Sequence, residues 1–190
     1  MESLFVSTGV VALAEIGDKT QLLAFLLAAR FKKPVPIVLG IAAATILNHA
    51  LAGLLGAWIA DAIGPDMLRW ILAASFLGMA AWTLVPDEIG EDEARVARRL
   101  GVFGATFVAF FVAETGDKTQ LATVALAAHY AEAALVVAGT TLGMLVADVP
   151  AVFAGGRLAA RIPMKLVHGI AAAIFAALGV ATLAGADRLF

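Results

Sequence analysis

The sequence predicts an all-α polytopic membrane protein, with six transmembrane helices arranged as two inverted three-helix repeats. Three observations carry that prediction. Of the 190 residues 62% are hydrophobic and only 15% charged, with a mean hydropathy of +0.96, so too few charges are present to cover the surface of a soluble domain. The apolar residues fall into six stretches, each near the roughly 20 residues that a helix rising about 1.5 Å per residue needs to cross a bilayer. A nine-residue motif recurs at an offset of 99 positions.

The first stretch runs from Leu4 to Ala29 and ends at Arg30, Lys32, Lys33 and Pro34. Met1-Glu2-Ser3 lacks the basic start of a cleavable signal, so this stretch is expected to be a retained helix. The second covers Val35 to Ala60 and closes at Asp61, Gly64, Pro65 and Asp66; the third covers Leu68 to Val85. A charged linker, residues 86–99, then divides the chain into a first repeat over residues 1–85 and a second over residues 100–190. Its acids and arginines read as a solvated cytoplasmic connection. The fourth stretch runs from Val102 to Ala128, the fifth from Ala133 to Ala154 and the sixth from Leu166 to Ala186. Pro150 reads as a kink in the fifth, and Trp58, Trp70 and Trp82 as interfacial or packing residues.

Basic residues set the orientation. Arg30, Lys32, Lys33, Arg95, Arg98, Arg99, Arg157, Arg161 and Lys165, nine in all, follow the odd-numbered stretches, against Arg69 and Arg188 on the other side. Both termini are therefore expected outside and the three basic connections in the cytoplasm.

The repeat is carried by Ala14-Glu15-Ile16-Gly17-Asp18-Lys19-Thr20-Gln21-Leu22, which matches Ala113-Glu114-Thr115-Gly116-Asp117-Lys118-Thr119-Gln120-Leu121 at every position but one. Gly40 and Gly139, and Gly56 and Gly155, match at the same offset. Three spans is an odd number, so the second copy inserts upside down. Inverted repeats of this kind place a binding site near the midplane, where the halves meet.

On one helix Glu15 and Asp18 would share a face, with Lys19 four residues from Glu15. Each motif offers two carboxylates, an ammonium, a hydroxyl (Thr20, Thr119) and an amide (Gln21, Gln120), and Gly17 and Gly116 permit a kink or unwinding. Asn48 and His49 in the second stretch and Asp148 in the fifth add polar groups at membrane depth, His49 aligning with Asp148. Ion pairs that serve packing alone would explain one such motif. Two mirrored copies with acids in excess of lysines point instead to bound protons or metal, because each charge at the bilayer centre costs about 2.5–3.5 kcal/mol. The oxygen-rich ligand set suits Mn2+, Ca2+ or Mg2+ better than Cu+ or Zn2+. Carboxylates that release protons as a divalent ion arrives, and regain them as it leaves, are a physical basis for antiport. With no cysteine in the chain, disulfides, thiolate metal sites and iron–sulfur clusters are excluded. Scattered basic residues exclude a nucleic-acid surface.

The doubled Glu-x-Gly-Asp-Lys-Thr signature resembles the Gdt-type family of cation/proton exchangers, across essentially the whole chain. That resemblance implies export of a divalent cation, mainly Mn2+ or Ca2+, from the cytosol in exchange for protons. Glu15, Asp18, Glu114 and Asp117 would form the cation path. Thr20, Gln21, Thr119, Gln120, Lys19, Lys118, Asp148, Asn48 and His49 are further contributors to it. The partners expected are divalent cations, protons and the lipid bilayer; no cofactor is called for beyond the transported ion, and a homo-oligomer is compatible. The short N-terminus fits the plasma membrane of a bacterium. Two competing classes are an exporter of amino acids or other small cationic solutes, which needs a larger, partly apolar pocket, and an intramembrane enzyme, for which the duplication has no obvious use.

Overall fold

The computed structural model describes residues 1–84, 100–130, 132–154 and 164–184. The linker over residues 86–99, the connection holding Gly155, Arg157 and Arg161, and Arg188 lie outside the described residues. The described residues form eight helices and no strand: α1 (Glu2–Glu15), α2 (Lys19–Phe31), α3 (Pro34–Ala62), α4 (Pro65–Thr83), α5 (Gly101–Glu114), α6 (Lys118–Tyr130), α7 (Ala133–Ala154) and α8 (Met164–Ala184). The first and fourth apolar stretches are each a pair of short helices, broken within the repeated motif. This corrects the expectation that Glu15 and Asp18 share one helical face. Among the described residues α3 and α7 combine length with strong hydropathy, while α5, shortened by the break, and part of α8 are shorter apolar helices. The fifth stretch remains a single helix through Pro150.

α3 shows the chemical logic of the packing. Val35, Leu39, Ile46, Leu47, Leu51, Leu54, Leu55 and Trp58 face outward, whereas its buried face carries Gly40, Thr45, Asn48, His49, Gly53 and Gly56 beside Ile37, Ile41 and Ala44. Apolar outside and partly polar inside is the reverse of a water-soluble helix, and it suits a hydrocarbon surround.

The helices pack mainly across the two halves of the chain. α1 lies along α7, α5 along α3, and α4 along α8, while α3 also contacts α6 and α7. Small residues let the backbones approach. A Cβ on Gly40 would lie 2.7 Å from Thr106 Cβ and 2.9 Å from the Phe103 carbonyl oxygen; one on Gly139 would lie 2.9 Å from Ser7 Cβ and 2.5 Å from the Leu4 carbonyl oxygen. Subtracting 99 from 139, 106 and 103 gives 40, 7 and 4, so the same contact is made twice by residues at equivalent positions.

Two apolar clusters flank the motifs. One gathers Val10 and Ala14 of α1, Phe76 of α4, Leu126 of α6 and Phe175 of α8. The other gathers Leu23 and Phe25 of α2, Ile37 and Ile41 of α3 and Phe110 of α5. The first motif carries the chain from the former cluster to the latter, and the second motif carries it back.

Candidate functional site

Both helix breaks have the same local construction. α1 ends at Glu15, Ile16 is extended (φ −65°, ψ 112°), Gly17 has φ +88°, and Asp18 caps α2. α5 ends at Glu114, Thr115 is extended (φ −67°, ψ 115°), and Gly116 has φ +80°. A positive φ strains any side-chain-bearing residue, so the glycine is what lets each helix stop and restart within three residues. The Asp18 N–H donates to the Glu15 carbonyl and the Asp117 N–H to the Glu114 carbonyl, both at 3.1 Å. The glutamines close the turns: the Gly17 N–H donates to Gln21 Oε1 at 3.0 Å and the Gly116 N–H to Gln120 Oε1 at 2.7 Å.

Those glutamines then reach across to the opposite half. Gln21 Nε2 donates to the Ala147 carbonyl of α7 at 3.1 Å, and Gln120 Nε2 contacts Asn48 Oδ1 of α3 at 3.5 Å. Ala147 stands at the position equivalent to Asn48. The Asn48 amide in turn donates to the Phe111 carbonyl at 3.1 Å, near the end of α5. Gln21, Gln120 and Asn48 are thus occupied in bracing the two breaks.

The carboxylates converge. Glu15 and Glu114 are wholly buried, and oxygens of Glu15, Glu114 and Asp117 lie within 4.8 Å of one another. Thr20 Oγ1 donates to Glu15 Oε2 at 2.6 Å and Thr119 Oγ1 to Glu114 Oε2 at 3.0 Å. The remaining oxygens, Glu15 Oε1, Glu114 Oε1 and Asp117 Oδ2, are buried without a hydrogen bond among the described residues. Unpartnered buried carboxylate oxygens are costly, and a cation bonded at about 2.3–2.6 Å reaches oxygens up to about 5 Å apart. The three side chains therefore fit one hard divalent ion.

The other sequence-predicted residues fall around this group. Asp18 is buried at the start of α2, outside the convergent three. Lys19 Nζ lies 3.3 Å from Asp117 Oδ1, so it pairs with the other motif and not with Glu15 four residues before it. Lys118 is buried at the start of α6. Asp148 is buried with neither oxygen hydrogen-bonded among the described residues, and lies close enough to Glu15 and Glu114 to interact electrostatically with both. His49 is buried with neither ring nitrogen hydrogen-bonded among the described residues, and it does not join the three-carboxylate group. Two buried hydroxyls were not anticipated, Thr45 and Thr141, each without a hydrogen bond among the described residues. Their spacing was the available signal: Thr45 is four residues before His49, and Thr141 seven before Asp148, so each shares a helix face with its partner.

Thr20→Val is expected to remove the only hydrogen bond that the Glu15 carboxylate accepts among the described residues, with little change in volume. A concentration series of divalent-ion uptake should show the half-saturating concentration rising about fivefold, the equivalent of about 1 kcal/mol.

A model of the family described as "Divalent cation/proton antiporter GDT1" matches residues 3–91 and 102–188. A Vibrio cholerae protein with the name "Putative manganese exporter" is 51% identical over 183 residues, 96% of this chain and 90% of its own length. A GDT1-like protein of Synechocystis is 32% identical over 87% of this chain and 89% of its own length. A chloroplastic protein of Arabidopsis thaliana, "Protein PAM71-homolog", is 31% identical over 93% of this chain and 57% of its own length. No solved structure matches the chain.

Proposed function

Since the chain belongs to the GDT1 family of divalent cation/proton antiporters, we propose that it exports Mn2+, and with it Ca2+, from the cytosol in exchange for protons. Membership makes it a membrane transport protein for cations and not an enzyme. The observation that carries the finer reading is the convergence of Glu15, Glu114 and Asp117 within 4.8 Å, each with an oxygen left without a hydrogen bond among the described residues. Manganese is suggested by the name of the Vibrio cholerae relative, and the all-oxygen ligand set supports it together with calcium.

In this reading residues 1–85 and 100–190 are inverted three-helix repeats joined by the cytoplasmic linker, and six spans cross the plasma membrane of a bacterium with both termini outside. Glu15, Glu114 and Asp117 hold the ion, and Asp18 serves as a further carboxylate on its path. Asp148 adds negative charge beside the two glutamates. Thr20 and Thr119 hold the glutamates, and the glutamines with Asn48 keep the breaks in place. Protons replace the ion on the carboxylates after it leaves, so that neither half of the cycle leaves several bare charges at the bilayer centre. The two halves rock about the midplane site to expose it to each side in turn.

Proteoliposomes loaded with a pH indicator and a divalent-sensitive dye test this reading, with Mn2+, Ca2+ and Mg2+ offered in turn. Metal entry coupled to proton exit is expected. Asp117→Asn should reduce it at least tenfold, having lost one of three ligand charges, and Asp18→Asn should reduce it less. Metal entry indifferent to an imposed pH gradient would replace antiport with uniport. Absence of any metal flux from folded wild-type protein would overturn the reading.

A further inference from the structure

The two motif lysines are not placed alike. The side chain of Lys19 is one-fifth exposed and its ammonium reaches Asp117 of the second motif, while Lys118 is buried. Asp117 is also one of the three convergent carboxylates. One side chain thus belongs both to the cation group and to an ion pair between the two motifs.

We propose that Lys19 is a tethered counter-cation: its ammonium neutralises Asp117 when no divalent ion is bound, and the incoming ion displaces it. This rests on the reading of Glu15, Glu114 and Asp117 as the ion's site. Both charges would crowd one carboxylate. An ion bonded to Asp117 at about 2.3 Å would sit within about 6 Å of the Lys19 ammonium if it bonds Oδ1, and within about 8 Å if it bonds Oδ2, since the ammonium lies 3.3 Å from Oδ1. At that range a divalent and a monovalent cation repel by several times thermal energy unless water separates them fully. Lys19 has the means to leave. Its backbone is held as the first residue of α2, where its N–H donates to Asp18 Oδ1 at 2.8 Å, but its four-carbon stem is flexible and partly open to the surroundings.

Displacement has a second effect, because the bond that breaks is an ion pair between the first motif and the second. Binding of the ion therefore loosens the start of α2 from the α5–α6 break. When the ion departs, the ammonium returns to Asp117 and opposes rebinding. Lys19 is in this sense a positioning residue for release: it weakens equilibrium binding and speeds turnover.

The test uses purified full-length protein and Mn2+ alone. Free Mn2+ is followed by its paramagnetic resonance signal during titration, and initial transport rates are measured in proteoliposomes. Lys19→Gln is expected to bind Mn2+ about tenfold more tightly than wild type, with the maximal transport rate falling by a similar factor. Lys19→Arg keeps the charge and is expected to restore wild-type affinity. A merely structural role would weaken binding or leave it unchanged. If Lys19→Gln elutes and melts like wild type yet binds Mn2+ no more tightly, the counter-cation role is overturned while the exchanger reading stands. Should Lys19→Gln not fold, Lys19→Arg decides: wild-type affinity supports the role, and a large loss of affinity overturns it. If wild type itself neither binds nor transports Mn2+, both readings fall together.

Discussion

Glu114→Gln is expected to reduce divalent-cation transport about a hundredfold while leaving the protein folded. The carboxylate is wholly buried at the end of α5, one of its oxygens accepts from Thr119, and the other is unpartnered beside Glu15 and Asp117. An amide has the same shape and its oxygen can still accept from Thr119, so the local fold retains its one hydrogen bond there. What changes is the ligand. A negative oxygen is lost, and an NH2 group that repels cations takes a place among the carboxylates. Removing one of three ligand charges from a hard-cation site weakens it by orders of magnitude, since affinity at such sites is set largely by ligand charge count and rigidity. Glu15→Gln should behave alike, because Glu15 accepts from Thr20 as Glu114 does from Thr119 and belongs to the same group of three carboxylates. Uptake of Mn2+ by proteoliposomes, with elution profile and melting temperature as controls for folding, is the measurement. Uptake within twofold of wild type in either variant would remove these glutamates from the cation path.

Gly139→Leu is expected to prevent assembly of the bundle. A Cβ at Gly139 already falls 2.5 Å from the carbonyl oxygen of Leu4 and 3.2 Å from its Cα, both backbone atoms that cannot rotate away. A full leucine side chain must push α1 off α7, the most extensive contact in the fold. Overpacking of this kind costs about 3 kcal/mol where only side chains must move, and more where helices must separate. The melting temperature should fall by at least about 10 °C, with most of the protein aggregating on extraction. Gly9→Leu is the matched control, since nothing lies within 4 Å of a Cβ there. Equal stability of the two variants would show that the glycine approach contributes little.

Much of this arrangement is legible in the residues themselves. Hydropathy marks the apolar stretches, and the doubled motif picks out Glu15, Asp18, Glu114 and Asp117, of which Glu15, Glu114 and Asp117 converge. What composition cannot show is that each motif interrupts its helix. Gly17 and Gly116 permit a break, but permission becomes an actual break only through the Gln21 and Gln120 side chains that satisfy the freed N–H groups. Reasoning by helical spacing therefore pairs Lys19 with Glu15, whereas the interrupted backbone sends it to Asp117. The Asn48 brace on the Phe111 carbonyl is hidden for a similar reason: a lone asparagine announces a need for partners without naming them. The difference between Asp18, set apart, and Asp117, inside the group, is likewise invisible in two identical motifs. It accompanies an unequal packing of two halves built alike, with α6 against α4 and α8 against α1.

The interlocking of α1 with α7 and of α5 with α3 bears on how the molecule comes into being. While the chain is being synthesised, the first helix waits in the bilayer without the neighbour that will cover Ser3, Ser7 and Glu15. Residues 1–85 inserted on their own lack the surfaces that bury their polar faces, so the half-chain is a poor candidate for independent folding. Two half-chains made separately, however, each display what the other lacks. Co-expressed as distinct polypeptides, they have the complementarity to find one another and rebuild the whole.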